Sequence, residues 1–324
     1  MEVWFWAVIT VISWGVWLTP LEWVGRVDSR FKTLMITIGN AAVALAVAVS
    51  VGLTGLSSSS MLAAILGGVV WSLSGYFAVI ATDRLGIAVA MGVWAPLNIL
   101  TSLAWGGLFF SELDSYSITD ICLVLLAFLV ISLGIVLIVR GSDIRPTYKR
   151  RFSLRDYFSH SSSSNTQTYG WLAVILAGVG WGSYFVPLRF ADASLWVMSW
   201  PLSVGMLLGA SLLWLGGLPW QSGRFRKQTI SPSDSKSLSA VLAATVLAGV
   251  LWAAGNYGSL NLMTHLGTGQ GFAVAQTCLV VNALLGMIVF SRPPWPSPSA
   301  FLVLAGVIAT SAGTAMMGWL GSQV

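Results

Sequence analysis

Charged side chains are scarce here, at 8% of 324 residues, where a soluble domain carries roughly 25%. With 56% of the chain apolar, a water-soluble globular reading is excluded. The two cysteines, Cys122 and Cys278, lie far apart inside apolar runs. Neither sits at a metal-ligand spacing, so both read as small buried hydrophobes. No Asp, Glu, Lys, Arg or His falls in the middle of an apolar run. That absence leaves no acid–base pair, Ser/His/Asp arrangement, metal cluster or phosphate-binding glycine loop, so neither an enzyme nor a cofactor is expected. The net charge of +5 comes from basic residues between the apolar runs. It points to orientation in a membrane and not to nucleic acid.

What is abundant is apolar sequence in lengths that cross a bilayer, about 20 residues each. Ten spans can be drawn, at about 3–21, 33–53, 60–82, 86–110, 119–139, 170–188, 195–217, 238–263, 269–290 and 299–320. The first run follows Glu2 without a basic region or a small-residue cleavage site, so it reads as a span and not as a signal peptide. Two connections are long and polar: Arg140–Thr168, with the basic run Lys149-Arg150-Arg151, and Pro219–Ser237. With the N-terminus outside, fifteen of the sixteen Lys and Arg fall on the inner side, leaving only Arg189 outside. The positive-inside rule therefore predicts extracytoplasmic termini and a cytoplasmic central loop. The expectation is a multi-pass protein of the cell (plasma) membrane.

The chain repeats itself. Trp14-Gly15-Val16-Trp17-Leu18-Thr19-Pro20-Leu21 matches Trp181-Gly182-Ser183-Tyr184-Phe185-Val186-Pro187-Leu188 at an offset of 167. Gly68–Ala90 matches Gly249–Gly271 at an offset of 181, aligning Trp71, Tyr76 and Leu85-Gly86 with Trp252, Tyr257 and Leu266-Gly267. Five spans per half is an odd number, so the second half must lie inverted. The predicted fold class is an all-α integral membrane protein of ten transmembrane helices, built as two inverted five-helix repeats. The halves are 1–140 and 169–324, joined by a polar, basic linker at 141–168. Inverted repeats put a binding site near the midplane between them.

In lipid the polar side chains within spans are the informative ones. Trp94, Asn98, Thr101, Ser102 and Trp105 share a face of the fourth span; Thr10, Ser13, Trp14 and Trp17 share one of the first. On the eighth, Asn256, Tyr257 and Asn261 fall within one arc, and Trp196, Ser199, Trp200 and Ser203 form a stripe on the seventh. Gln270, Gln276 and Asn282 do not share a face, so at most one or two of them can point inward. Asn and Gln both donate and accept hydrogen bonds, and Trp faces offer flat apolar surface, a combination that suits a sugar. The alternative for each Asn or Ser is an interhelical hydrogen bond, and for each Trp an interfacial belt. Trp4, Trp6, Trp23, Trp220, Trp295 and Trp319 read as belt. Trp14, Trp71, Trp181 and Trp252 stand open between lining and packing. Pro20 and Pro187 read as helix stops, and Pro96 as a break in the fourth span. Arg189 reads as an interfacial charge.

Two five-span inverted halves resemble the drug/metabolite transporter superfamily. The G-x-x-W-x-x-G-N-Y…L-G stretch at 249–267, its looser twin at 68–86 and the opening W-G-x-x-x-x-P of each half resemble the glucose/ribose porter group with its rhamnose-transporter and transmembrane-protein-144-like relatives. The resemblance implies transport of a carbohydrate or small polar metabolite. It carries over Trp252, Gly255, Asn256 and Gly267 as motif positions, with Trp71, Gly75 and Gly86 as partial ones. Some of these relatives couple to protons, and no mid-membrane acid is present here to do so. The expected function is a secondary carrier or facilitator of a neutral sugar such as glucose, ribose or rhamnose, or a similar small polar metabolite. Its candidate substrate-binding residues are Trp14, Trp17, Asn98, Trp181, Tyr184, Asn256 and Tyr257. The alternatives are an exporter of amino acids or other metabolites and a non-transporting membrane sugar sensor. The expected partners are a small neutral polar substrate and the lipid bilayer, with no nucleic acid; a homodimer is left open.

Overall fold

The computed structural model describes residues 3–17, 19–22, 29–85, 87–142, 164–191, 193–216, 237–289 and 293–322. The central linker, the Pro219–Ser237 loop up to residue 236, Trp23 and Trp220 lie outside them. Among the described residues the regular structure is helical throughout, as it must be where lipid offers the backbone no partner. The helices are α1 (Val3–Val16), α2 (Thr19–Glu22), α3 (Ser29–Val51), α4 (Ser58–Leu85), α5 (Ile87–Phe109) and α6 (Ile118–Ser142). They continue as α7 (Ser164–Trp181), α8 (Val186–Arg189), α9 (Leu195–Gly216), α10 (Leu238–Leu266), α11 (Thr268–Ala275), α12 (Cys278–Ile288) and α13 (Pro298–Gly321). Nine stretches of the described residues are long and apolar enough to span a membrane. Helix α5, 23 residues around Pro96, stands in the place of the tenth.

Serines set several helix starts by accepting the orphan amide three residues on. Ser57 Oγ does so from Ser60 N, Ser237 Oγ from Ala240 N and Ser297 Oγ from Ala300 N. At α6 the cap is reciprocal: Asp120 N donates to Ser117 Oγ at 3.2 Å and Ser117 N to Asp120 Oδ2 at 3.0 Å.

The prolines depart from expectation. Pro20 and Pro187 do not stop helices. The long helix ends before each, and the proline lies in the short helix that follows, α2 or α8. Proline is preorganised for a first turn, where its missing N–H is no loss. Pro96 does not break the fourth span, because α5 runs continuously through it. The ninth span breaks instead, between α11 and α12 at Gln276-Thr277.

Helix α6 packs on α13, α3 on α9, and α5 on α11. Around these lie α4 on α9 and α10 on α3, α4 on α7 and α10 on α1, and α5 on α7 and α12 on α1. Glycines allow the closest approaches. A Cβ on Gly68 would meet the backbone of Leu202, one on Gly249 that of Ile36, and one on Gly134 that of Gly306 and Thr310. The near end of the bundle, where α1 begins, carries Glu112, Asp114, Asp120 and Arg189. The far end carries Arg30, Lys32, Arg84 and Arg140.

Candidate functional site

Where α1, α4, α5, α7, α10, α11 and α12 converge, they enclose a cavity of about 150 Å³. A buried water occupies about 10–15 Å³ on this measure, so the space fits a small polar molecule, not a lone ion. Its lining comprises Trp14, Trp17, Trp71, Trp94, Asn98, Trp181, Tyr184, Trp252, Phe272, Gln276, Cys278, Leu279 and Asn282. Six of these are tryptophans and none is charged. The indole of Trp14 stacks on Trp252 with centroids 6.1 Å apart, and Trp252 meets Trp71 at 4.5 Å. Opposite them, Trp94 and Trp181 meet edge to face at 5.5 Å. Gly255 makes the first stack possible, because a Cβ there would run into the Trp14 ring.

Equivalent tryptophans of the two repeats carry different hydrogen-bonding states. Trp14 Nε1 donates to the Trp252 carbonyl at 3.1 Å. Trp181 Nε1 is buried with no partner. Asn98, its amide oriented by its neighbours, donates from nitrogen to the Gly178 and Trp94 carbonyls at 2.6 and 3.0 Å, leaving its oxygen for the cavity. Asn282 donates from nitrogen to the Gly15 carbonyl at 3.3 Å, also leaving its oxygen. Gln276 is 8% exposed and makes no side-chain hydrogen bond among the described residues. The cavity lining therefore carries indole N–H groups, two amide oxygens and a whole amide, all neutral, between aromatic faces. Such groups match hydroxyls, which both donate and accept.

Of the seven candidate residues, Trp14, Trp17, Asn98, Trp181 and Tyr184 line this space. Asn256 lies behind the wall, where its Oδ1 accepts from the Tyr184 hydroxyl at 2.8 Å. Tyr257 faces α9: its ring stacks on Trp196 at 5.1 Å and its hydroxyl hydrogen-bonds Ser199 Oγ at 2.6 Å. That accounts for part of the seventh-span stripe, and Ser203 Oγ accepts from Asn40 at 2.8 Å to account for more. Trp71 and Trp252, open between lining and packing, do both. Trp94 shares the face of Asn98, as the spacing predicts. Gln276 and Asn282 both reach the cavity although helical spacing separates them, because the Gln276-Thr277 break resets the register. Gln270 turns away and donates to Tyr116 at 3.0 Å. Phe272, which carries no polar signal, was not legible in the sequence. Trp6 is a correction: it is buried against Trp196 at 5.7 Å, not in an interfacial belt, whereas Trp4, Trp295 and Trp319 are exposed.

The cavity is closed unequally. Toward the near end Tyr184, Phe185, Phe272 and Met263 are each 2% exposed or less and pack as one cluster. Toward the far end Trp17, Trp94 and Asn282 are only partly buried.

Comparison with known proteins agrees with this architecture. A crystal structure aligned over 98% of this chain and 97% of its own has a TM-score of 0.61 at 17% identity, a likeness of fold. A protein of Enterococcus faecalis named for sugar uptake is 23% identical over 97% of this chain and 98% of its own length. One of Listeria monocytogenes, also named for sugar uptake, is 24% identical over 96% and 97%. A Bacillus anthracis protein named for glucose uptake is 21% identical over 77% and 76%. The sequence profile of the sugar transport protein family matches residues 5–320, and the chain therefore belongs to that family of membrane transporters and is not an enzyme.

Proposed function

We propose that this protein is an alternating-access carrier of a neutral monosaccharide, bound in the tryptophan-lined cavity. The observation that carries the reading is the uncharged lining, in which every polar group left without a partner is an amide or an indole N–H. Trp14 and Trp17 on one side and Trp181 on the other hold the C–H faces of the ring, an apolar contact of the kind aromatic side chains make. Asn98, Gln276 and Trp181 Nε1 bond its hydroxyls. Tyr184 closes the near end, with Asn256 fixing its hydroxyl. Tyr257 serves the α9–α10 contact.

The halves 1–140 and 169–324 are taken as inverted repeats across a cytoplasmic linker at 141–168. Each packing supports this by having its mate when the halves are exchanged: α4 on α9 with α10 on α3, α4 on α7 with α10 on α1, and α5 on α7 with α12 on α1. Rocking of one half on the other about a central site is the motion such repeats permit. With the near end outside, as the charge distribution favours, the sealed side of the cavity faces outward and the described state opens inward.

Uptake of labelled glucose, ribose and rhamnose into proteoliposomes, with and without imposed proton or sodium gradients, tests the reading. Saturable uptake of at least one sugar is expected. Saturable binding without flux would overturn the carrier in favour of a sensor. Flux indifferent to gradients identifies a facilitator.

A further inference from the structure

We infer that Glu112 and Arg189 form an outer latch, closed in this state and broken whenever the cavity opens to the outside; the inference rests on the carrier reading above. Glu112 lies in the connection between α5 and α6, in the first half. Its side chain is only 11% exposed, and its carboxylate takes three donors, all from the second half. They are Arg189 Nη2 at 3.0 Å, Thr268 N at 2.6 Å and the Thr268 hydroxyl. Arg189 ends α8 and Thr268 begins α11, so one side chain ties together three element ends. The guanidinium also lies over the Phe110 ring at 5.1 Å, and Phe110 meets Phe190 at 5.1 Å. Gly267 holds φ at +83°, the left-handed region, with a carboxylate oxygen of Glu112 3.0 Å from where a Cβ would stand. A side chain there would be strained and would crowd the latch.

The latch is coupled to the cavity through α11. Phe272, one turn along from Thr268, seals the near end, and Gln276 lies about 12 Å along at 1.5 Å per residue. Parting the near ends of α5, α8 and α11 removes the Phe272 seal and the carboxylate's donors together. These bonds are made between halves and not within one, so they oppose that motion and no other.

The sequence carries the same arrangement a second time with its charges exchanged. Pro187-Leu188-Arg189 corresponds to Pro20-Leu21-Glu22, at the offset of 167. Phe110-Ser111-Glu112 corresponds to Phe290-Ser291-Arg292, at an offset of 180. The structure supplies that second register independently. A Cβ on Gly182 would meet Asn98 O and Thr101, and one on its equivalent Gly15 would meet Cys278 O and Val281. The side chain of Glu22 and residues 290–292 lie outside the described residues, so their correspondence is one of sequence. An acid of the first half and a base of the second for each end, with the two element positions exchanged, is what a two-state carrier needs if each end is to be held when the other opens.

Cys278 lines the cavity and is a native reporter once Cys122 is replaced by Ala. Its rate of labelling by a membrane-impermeant thiol reagent, applied outside right-side-out vesicles, reads outward opening directly. Glu112→Gln is expected to raise that rate about tenfold. Arg189→Gln, which leaves the carboxylate on Thr268, is expected to raise it less, and it stands in if Glu112→Gln does not fold. Glu22→Gln is expected to lower it. An unchanged rate in folded Glu112→Gln and Arg189→Gln overturns the latch, and a raised rate in Glu22→Gln overturns the exchange. Labelling does not require transport. Altered labelling without sugar flux would therefore leave the latch standing and sink the carrier reading. Sugar flux with unaltered labelling would sink the latch alone.

Discussion

A single indole N–H separates two tryptophans that the repeat makes equivalent. That of Trp14 is satisfied by a carbonyl and that of Trp181 is not. A buried donor without a partner carries a desolvation cost of about 1–3 kcal/mol that a bound hydroxyl would relieve. Trp181→Phe is therefore expected to weaken sugar binding by about five- to tenfold, a typical hydrogen bond's worth, while leaving the purified protein at least as stable. Equilibrium binding together with a melting temperature checks both halves of that statement; equal affinity would take the N–H out of the site. The neighbouring pair behaves oppositely. Tyr184→Phe strands the Asn256 oxygen, 3% exposed, and is expected to cost about 1–3 kcal/mol of stability. Tyr184→Phe combined with Asn256→Leu should recover part of the loss, and a double variant as unstable as the sum of the singles would count against the bond. Trp14, Trp17, Trp181 and Asn98 were legible from repeat position and helical face. Asn256 and Tyr257 were legible as polar residues in an apolar helix, but their direction was not. Each had a neighbour to bond, and only packing decides which.

At the scale of elements, close approach sets the terms. A Cβ on Gly134 would strike the backbone of Gly306 and Thr310, whereas one on Gly75 would find its nearest neighbour, a Trp181 ring carbon, at 3.8 Å. Gly134→Ala is expected to lower stability by about 1–3 kcal/mol through overpacking. Gly75→Ala should be neutral or slightly stabilising, because Ala suits a helix interior better than Gly. Thermal melting in one detergent orders the two, and equal effects would mean that α6 and α13 part more readily than their contact implies. Helix breaks were the least legible elements. Pro96 marked a break that does not occur. Gln276-Thr277, a break with no proline, leaves no mark in the sequence because α11 and α12 each satisfy their ends through turn bonds such as Thr277 N to Val274 O at 3.1 Å. Local sequence does not record that an amide has found a carbonyl three residues back.

Across the molecule, among the described residues, Arg30, Lys32, Arg84 and Arg140 gather at one end and the Glu112–Arg189 pair stands at the other. Reporter fusions after residues 160 and 324 are expected to read cytoplasmic and extracytoplasmic respectively. A cytoplasmic C-terminus would reverse the odd-span count and remove the inverted repeat. Composition alone excluded a soluble fold, because 56% apolar residues cannot all be hidden from water. The sequence by itself also marked where the chain is apolar enough to span and which orientation its loop charges favour, since hydropathy and loop charge act locally and need no partner. It determined that two halves share one pattern, because that is written in the residues. Only the tertiary structure decided which aromatic faces meet across a cavity, which donor is left over and which carboxylate bridges the halves. Those are distances between residues far apart in the chain, and they exist only once the helices have packed.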